Sequence, residues 1–409
     1  MRSNRSQLLY IPILLAFALI FFALGYVSYP LLHDAPATLP AADAPIAMED
    51  PADLKIFWEA WHLLERDFYG EKPEAQKRVY GALHGLAQSF ADPYTVFVEP
   101  QPREIEQDRL RGSFGGIGAT IEQTEAGYVL HPQRDQPAAR AGVQDGDLLV
   151  RVDEHPITAT MSSDDVIALV RGPVDSQVEI GVRRPATAEE LTFRIVRAEI
   201  HTPSIEWRLL DDDPETATVG YLRQTIFSER SPDEMRTALA ELTAGGADRF
   251  ILDLRGNPGG LVEAAVAISD LWLDGGLVLT ERHADGSEKS FTAQPGTEVA
   301  NAPLTVLIDG GTASASEIVA GALQAHGRAK LVGEKSFGKG SVQLVYELSD
   351  QSSLHVTNAQ WLTPNGQQIS GQGLTPDVVI EPGTDPLPQA LAVLAQLAGE
   401  PPYAVAGRQ

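Results

Sequence analysis

The chain has 409 residues, more than one ordinary compact domain holds and enough for two or three. Its formal net charge of -25 argues against a nucleic-acid binder, whose affinity rests on Lys and Arg neutralising phosphates. There is no cysteine, which excludes disulfides, thiolate catalysis and thiolate-bound metal.

Arg2 and Arg5 precede an uncharged apolar run from Leu8 to about Tyr29, and no Lys or Arg follows until Lys55. Such a run is long enough to cross a bilayer, and the charge bias places residues 1–7 in the cytoplasm and the rest outside. The expectation is a single-pass transmembrane helix over residues 8–30 in the inner (cytoplasmic) membrane, the remainder being extracytoplasmic. A cleaved signal peptide ending near Ala35-Pro36-Ala37 is the alternative, and it exports the same bulk of the chain. Residues 31–52, rich in Ala, Pro and Asp, read as a flexible linker.

Over residues 53–105 two helical periods follow. Leu54, Phe57, Trp58, Trp61, Leu64 and Phe68 form one stripe; Val79, Ala82, Leu83, Leu86 and Phe90 form the next. The turn Asp92-Pro93-Tyr94-Thr95 ends them. Residues 106–198 change to short strands between Gly, Pro and Asp turns: Ile117–Glu122, Tyr128–His131, Leu148–Val152, Val178–Arg183 and Leu191–Val196. Short helices near Ala138–Ala141 and Ser163–Val170 interrupt them. Residues 199–383 read as α/β. The buried-type strands Phe250–Leu254 and Leu304–Ile308 each run into a tight glycine turn and a helix. Residues 384–409 read as a short helix and a loose tail.

Ser314-Ala315-Ser316-Glu317 opens the second of those helices. Its plainer reading is a capping box, serine capping and glutamate reaching back. The same geometry leaves unpaired N–H groups beside a serine hydroxyl, which can hold an oxyanion. Lys339 stands between Gly338 and Gly340, where backbone can approach another element closely. Its plainer reading is a solvated surface lysine. A lysine serves as base only when neutral, and at pH 7 that costs a free lysine roughly 4.6 kcal/mol. Burial beside Phe337 and Val342 could supply it. In the turn Arg255–Gly260, an N–H of Gly259 or Gly260 could join that of Ala315 at an oxyanion.

Together these stretches resemble the C-terminal processing peptidases, or tail-specific proteases. The matching stretches are Asp253-Leu-Arg-Gly-Asn-Pro-Gly-Gly260, Gly311-Thr-Ala-Ser-Ala-Ser-Glu-Ile318, Arg328-Ala329, Gly333 and Phe337-Gly-Lys-Gly-Ser-Val-Gln343. Phe90-Ala-Asp-Pro-Tyr-Thr-Val-Phe97 also resembles the segment preceding the family's PDZ domain. The resemblance implies Ser314 as nucleophile, Lys339 as general base and then acid, Gln343 orienting the lysine, and Gly260 with Ala315 as the oxyanion hole. It implies that the β-rich module is a PDZ domain whose carboxylate-binding loop is Phe114, Gly115, Gly116, Ile117 and Gly118. Arg140–Leu149 resembles that fold's helix-to-strand segment.

The expected fold class is therefore multidomain α+β: a transmembrane helix, a helical segment, a PDZ domain and an α/β serine-peptidase core of ClpP/crotonase type. The expected reaction is hydrolysis of proteins near disordered, apolar C-termini outside the cytoplasm, without metal or cofactor. The expected partners are tailed protein substrates and the membrane, with a homodimer through residues 53–105 implied by the family and any adaptor or activator unknown. Two rivals stand beside this: a serine–histidine triad using His326 or His355, and a PDZ scaffold that captures tails without cutting them.

Overall fold

The computed structural model describes residues 54–399 apart from 212, 214, 215, 297, 298 and 300. The chain divides after Ala75 into two compact units. In the first, the stripe that predicts a helix forms α1 (Leu54–Asp67), with Phe57, Trp58 and Trp61 ring centroids 5.3 to 6.2 Å apart.

All but the first residue of α2 (Ala75–Gln88) belongs to the second unit, and this helix turns Tyr80 and Ala87 inward. Tyr80 packs at 5.3 Å on Phe97 of β1 (Val96–Val98). Between them Asp92 accepts hydrogen bonds from Tyr94 N and Thr95 Oγ1, fixing the turn. A helix without an apolar period follows, α3 (Pro100–Arg111). Proline stands at its first position and Gly112, at φ 76°, closes it in the left-handed cap. Its one buried residue is Arg103, which donates to Gln351 O and Glu347 Oε2, both at 2.7 Å.

The β-rich module comprises β2 (Ser113–Gly116), β3 (Ala119–Thr124), β4 (Gly127–Pro132), α4 (Pro137–Ala141), β5 (Asp147–Val152) and β6 (His155–Pro156). It continues through α5 (Ser163–Val170), β7 (Gln177–Arg184), β8 (Glu189–Val196) and β9 (Ala198–His201). Its sheet runs β3-β4-β5-β7-β8 with β6 on β5, so β3 is an edge; β2 pairs with β9 apart from it. Alternate residues such as Tyr128 and Leu130, or Val178, Ile180 and Val182, fill one core with Val166 of α5.

The α/β region is built from β10 (Ile205–Leu209), β11 (Val219–Gln224), α6 (Ser231–Ala244), β12 (Arg249–Asp253), α7 (Val262–Trp272), β13 (Gly276–His283) and β14 (Glu288–Ala293). Then come β15 (Leu304–Ile308), α8 (Ala315–Ala325), β16 (Lys330–Gly333), β17 (Ser341–Glu347), β18 (Ser353–Leu362), β19 (Val378–Val379) and α9 (Leu387–Leu397). One sheet runs β10-β11-β12-β15-β16-β19, parallel except at β10/β11. Its centre, β12 and β15, is buried at every residue, because helices cover both faces. Phe250 and Leu252 face a core shared with α6, α7 and α8, while Ile251 faces α9. The other sheet runs β1-β18-β13-β14 with β17 also on β18, and sends Trp361, Val278 and Leu279 into the first core. The parallel sheet ends both β12 and β15 at the same edge, and there the glycine turns meet.

One part of the expected fold class is corrected. Among the described residues no helix is long and apolar enough to cross a membrane, so a transmembrane helix is not part of the described fold. The apolar run of residues 8–30 lies outside the described residues.

Candidate active site

β15 delivers the chain into Asp309–Ala313, a turn tied to the neighbouring glycine turn. Asp309 Oδ1 accepts from Gly311 N and from Gly256 N, both at 2.9 Å. Thr312 Oγ1 donates to Leu254 O at 2.9 Å. Ser314 then adopts φ 55°, ψ -116°, a conformation that costs a non-glycine residue of order 1–3 kcal/mol. The helix starts directly after it, with Ile318 N donating to Ser314 O at 3.0 Å.

Glu317, fully buried, holds this strain in place. Its Oε2 accepts from Ser314 N at 2.8 Å and from Lys339 N at 2.9 Å; its Oε1 accepts from Gly338 N at 2.7 Å and from Ser336 Oγ at 2.5 Å. Two amides bonded to one oxygen lie within about 6 Å of each other. A residue legible only as half of a capping box therefore joins the serine turn to the lysine loop. Sequence reasoning missed this, because four donors to one carboxylate come from segments about twenty residues apart.

Asn257 performs the matching task on the glycine turn. Its Nδ2 donates to Gln224 O at 2.8 Å, its Oδ1 accepts from Gly259 N at 2.9 Å, and its carbonyl accepts from Ala313 N and Ser316 Oγ, both at 3.0 Å. Gly259 is pressed so closely to the serine that an added Cβ would lie 2.8 Å from Ser314 Cβ and 2.9 Å from Ala315 N. The Gly259 N–H is thus committed to Asn257. Among the described residues the N–H groups of Gly260 and Ala315 have no acceptor, which favours Gly260 over Gly259 as the second donor.

Lys339 is half-buried, and its flanking glycines are explained by contact. A Cβ at Gly338 would meet Gly373 N at 2.7 Å, and one at Gly340 would meet Ser370 N at 2.9 Å. Trp361 Nε1 donates to Lys339 O at 3.1 Å. The ammonium lies 5.0 Å from the centre of the Tyr94 ring. Burial pushes the Lys339 amine below the usual lysine range, against the opposing pull of the Glu106 and Asp92 carboxylates. Phe337, expected to wall this pocket, is instead exposed; the Asp92–Thr95 turn takes its place. Phe337, Gly338, Tyr94, Asp92 and Ser341 border a cavity of about 450 Å³ beside the lysine loop.

Gln343 sits on β17, and its Nε2 donates to Ser341 Oγ at 2.9 Å and Thr357 Oγ1 at 3.3 Å. Of the histidines, His326 closes the far end of the eleven-residue helix that Ser314 opens, about 16 Å away, and bonds Leu277 O. His355 faces Glu106. In the β-rich module, Phe114 lies 4.0 Å beneath the Arg171 guanidinium and Gly115 O accepts from Gly172 N. The Ile117 and Gly118 carbonyls are taken by Ala138 N and Gln133 N, leaving their own N–H groups without acceptors among the described residues.

A β-rich module beside an α/β core, with a strained serine and a partly buried lysine on adjoining turns, describes a serine peptidase carrying an accessory β domain. Residues 218–380 match the profile of Peptidase family S41 and residues 128–184 that of the PDZ domain. The chain is 34% identical over 330 residues to a carboxy-terminal-processing protease of Bartonella bacilliformis, covering 79% of this chain and 74% of that one. It is 36% identical over 324 residues to a carboxyl-terminal-processing protease of Synechocystis, with 78% and 75% covered. A solved photosystem II D1 C-terminal processing protease matches at 28% identity and TM-score 0.48, with 82% and 94% covered. The chain belongs to peptidase family S41, the carboxy-terminal processing serine proteases.

Proposed function

We propose that the chain cleaves with a Ser314–Lys339 dyad and acts on proteins with disordered, apolar C-terminal tails outside the cytoplasm. The observation that carries the reading is the sharing of the Glu317 carboxylate by Ser314 N and Lys339 N. Neutral Lys339 takes the Ser314 proton while the hydroxyl oxygen bonds the scissile carbonyl carbon. The carbonyl oxygen, now negative, rests on the N–H groups of Gly260 and Ala315. The C–N bond breaks, the ammonium of Lys339 returns its proton to the leaving amine, and water then hydrolyses the ester by the same exchange. Gln343 is assigned to orienting the lysine through its side-chain carbonyl, which can accept from the amine while Nε2 stays on Ser341 and Thr357.

The PDZ domain is assigned to recognising or gating the substrate tail. Its edge strand β3 supports strand addition, and the N–H groups of Ile117 and Gly118, within the loop from Phe114, Gly115 and Gly116, support capture of a terminal carboxylate. The exposed α1 residues Trp58 and Leu64 support self-association, which the mass of the full chain in solution would test.

The test is incubation of wild type, Ser314→Ala and Lys339→Ala with a protein bearing an apolar tail, read by intact mass. Cleavage by the wild type alone is the expected result; turnover by Lys339→Ala would end the dyad.

A further inference from the structure

Helix α3 carries an acidic residue into the surroundings of Lys339. Arg103 anchors the helix to the β17–β18 hairpin through Glu347 and Gln351, and is thereby occupied. One turn later, on the same face, Glu106 Oε2 stands 3.4 Å from His355 Nε2. His355 is 13% exposed, and its Nε2 is buried without a well-formed hydrogen bond. It lies on β18 opposite Val96 of β1, two residues beyond the Tyr94 whose ring touches the Lys339 ammonium. Glu106 and Asp92 therefore lie within electrostatic reach of Lys339, and Lys339, Glu106 and Arg103 within reach of His355, with Tyr94 against the ammonium and Glu317 taking the lysine's own backbone N–H.

We propose that Glu106, beside His355, is a positioning residue that keeps charge on the Lys339 ammonium and so sets the pH at which the enzyme turns on. The inference rests on Lys339 being the base. A carboxylate near a half-buried ammonium favours the charged form, whereas burial opposes it; the balance decides what fraction of Lys339 is neutral. Burial also holds the His355 imidazole below the usual histidine range. A neutral imidazole carries no charge to offset Glu106, so the carboxylate acts on the lysine unmasked above that range.

The experiment is the pH profile of kcat/KM for the full chain on a peptide with an apolar C-terminal tail, each variant normalised to its own plateau. Glu106→Gln moves the rising limb to lower pH, raising normalised kcat/KM on the wild-type limb roughly two- to fivefold. Glu106→Lys moves it further, and Glu106→Asp restores it toward the wild type. Glu106 is 44% exposed on its side chain, so thermal melts of these variants should stay near wild type. Limbs that coincide across the series, or a uniform loss of activity with an unmoved limb, overturn the proposal while leaving the dyad intact if Lys339→Ala is inactive. Turnover by Lys339→Ala would remove the reading beneath it.

Discussion

Two glycines of one turn give a sharp comparison. Gly256 and Gly259 both have positive φ, 66° and 104°, so alanine at either costs about 1–2 kcal/mol in backbone strain. They differ in what a Cβ would meet. At 256 nothing lies within 4 Å; at 259 the new atom falls 2.8 Å from Ala313 O and Ser314 Cβ and 2.9 Å from Ala315 N. None of these is the end of a flexible side chain, so relief requires the Ser314 backbone to move. Overpacking adds about 1–3 kcal/mol, and a misplacement near 1 Å costs about a hundredfold in rate. Gly256→Ala is therefore expected to lose about 1–2 kcal/mol of stability and to keep kcat/KM within about threefold. Gly259→Ala should lose about 2–5 kcal/mol and at least about a hundredfold in kcat/KM. Denaturant melts and mass-spectrometric cleavage rates measure both. Equal kinetic losses in the two variants, or near-normal turnover by Gly259→Ala, would refute the packing of this turn against the nucleophile.

Other substitutions test the rest of the site. Lys339→Met should abolish cleavage yet raise the melting temperature, because a half-buried cation is removed. Since folding lowers the proton affinity of Lys339, the unfolded chain binds more protons between the folded pKa and that of free lysine. Wild-type stability rises through that window, so the advantage of the methionine variant should be full below it and shrink as pH climbs. Glu317→Gln turns an amide donor toward a site holding four donors; it should cost at least about 3 kcal/mol and more than a hundredfold in kcat/KM. Asn257→Ala leaves Gly259 N and Gln224 O without partners and should cost about 2–4 kcal/mol, with kcat falling more than KM rises.

Legibility in the sequence followed locality. The runs Phe250–Leu254 and Leu304–Ile308 read correctly as buried strands, because apolar residues on both faces leave a continuous signal. The paired helices before the Asp92 turn and the strands of the PDZ domain were equally plain. Helix α3 was invisible, since it buries an arginine and no apolar stripe, and its anchors lie about 250 residues away. Ser-x-x-Glu announced a capping box, but nothing local says that the glutamate also ties down Lys339. Phe337 looked like a wall for the lysine and proved exposed, while Tyr94, remote in sequence, covers it. The hydrogen bond from Gly259 N to Asn257, which leaves Gly260 the freer of the two donors, is something spacing alone cannot reveal.

The most direct measurement is a pH titration of the lysine side chains by NMR in Ser314→Ala, with Lys339 assigned by its loss in Lys339→Arg. If Lys339 is the base, its signal titrates below the ordinary range of a free lysine. A Lys339 signal that titrates within or above that range would contradict a lysine poised to take the proton of Ser314.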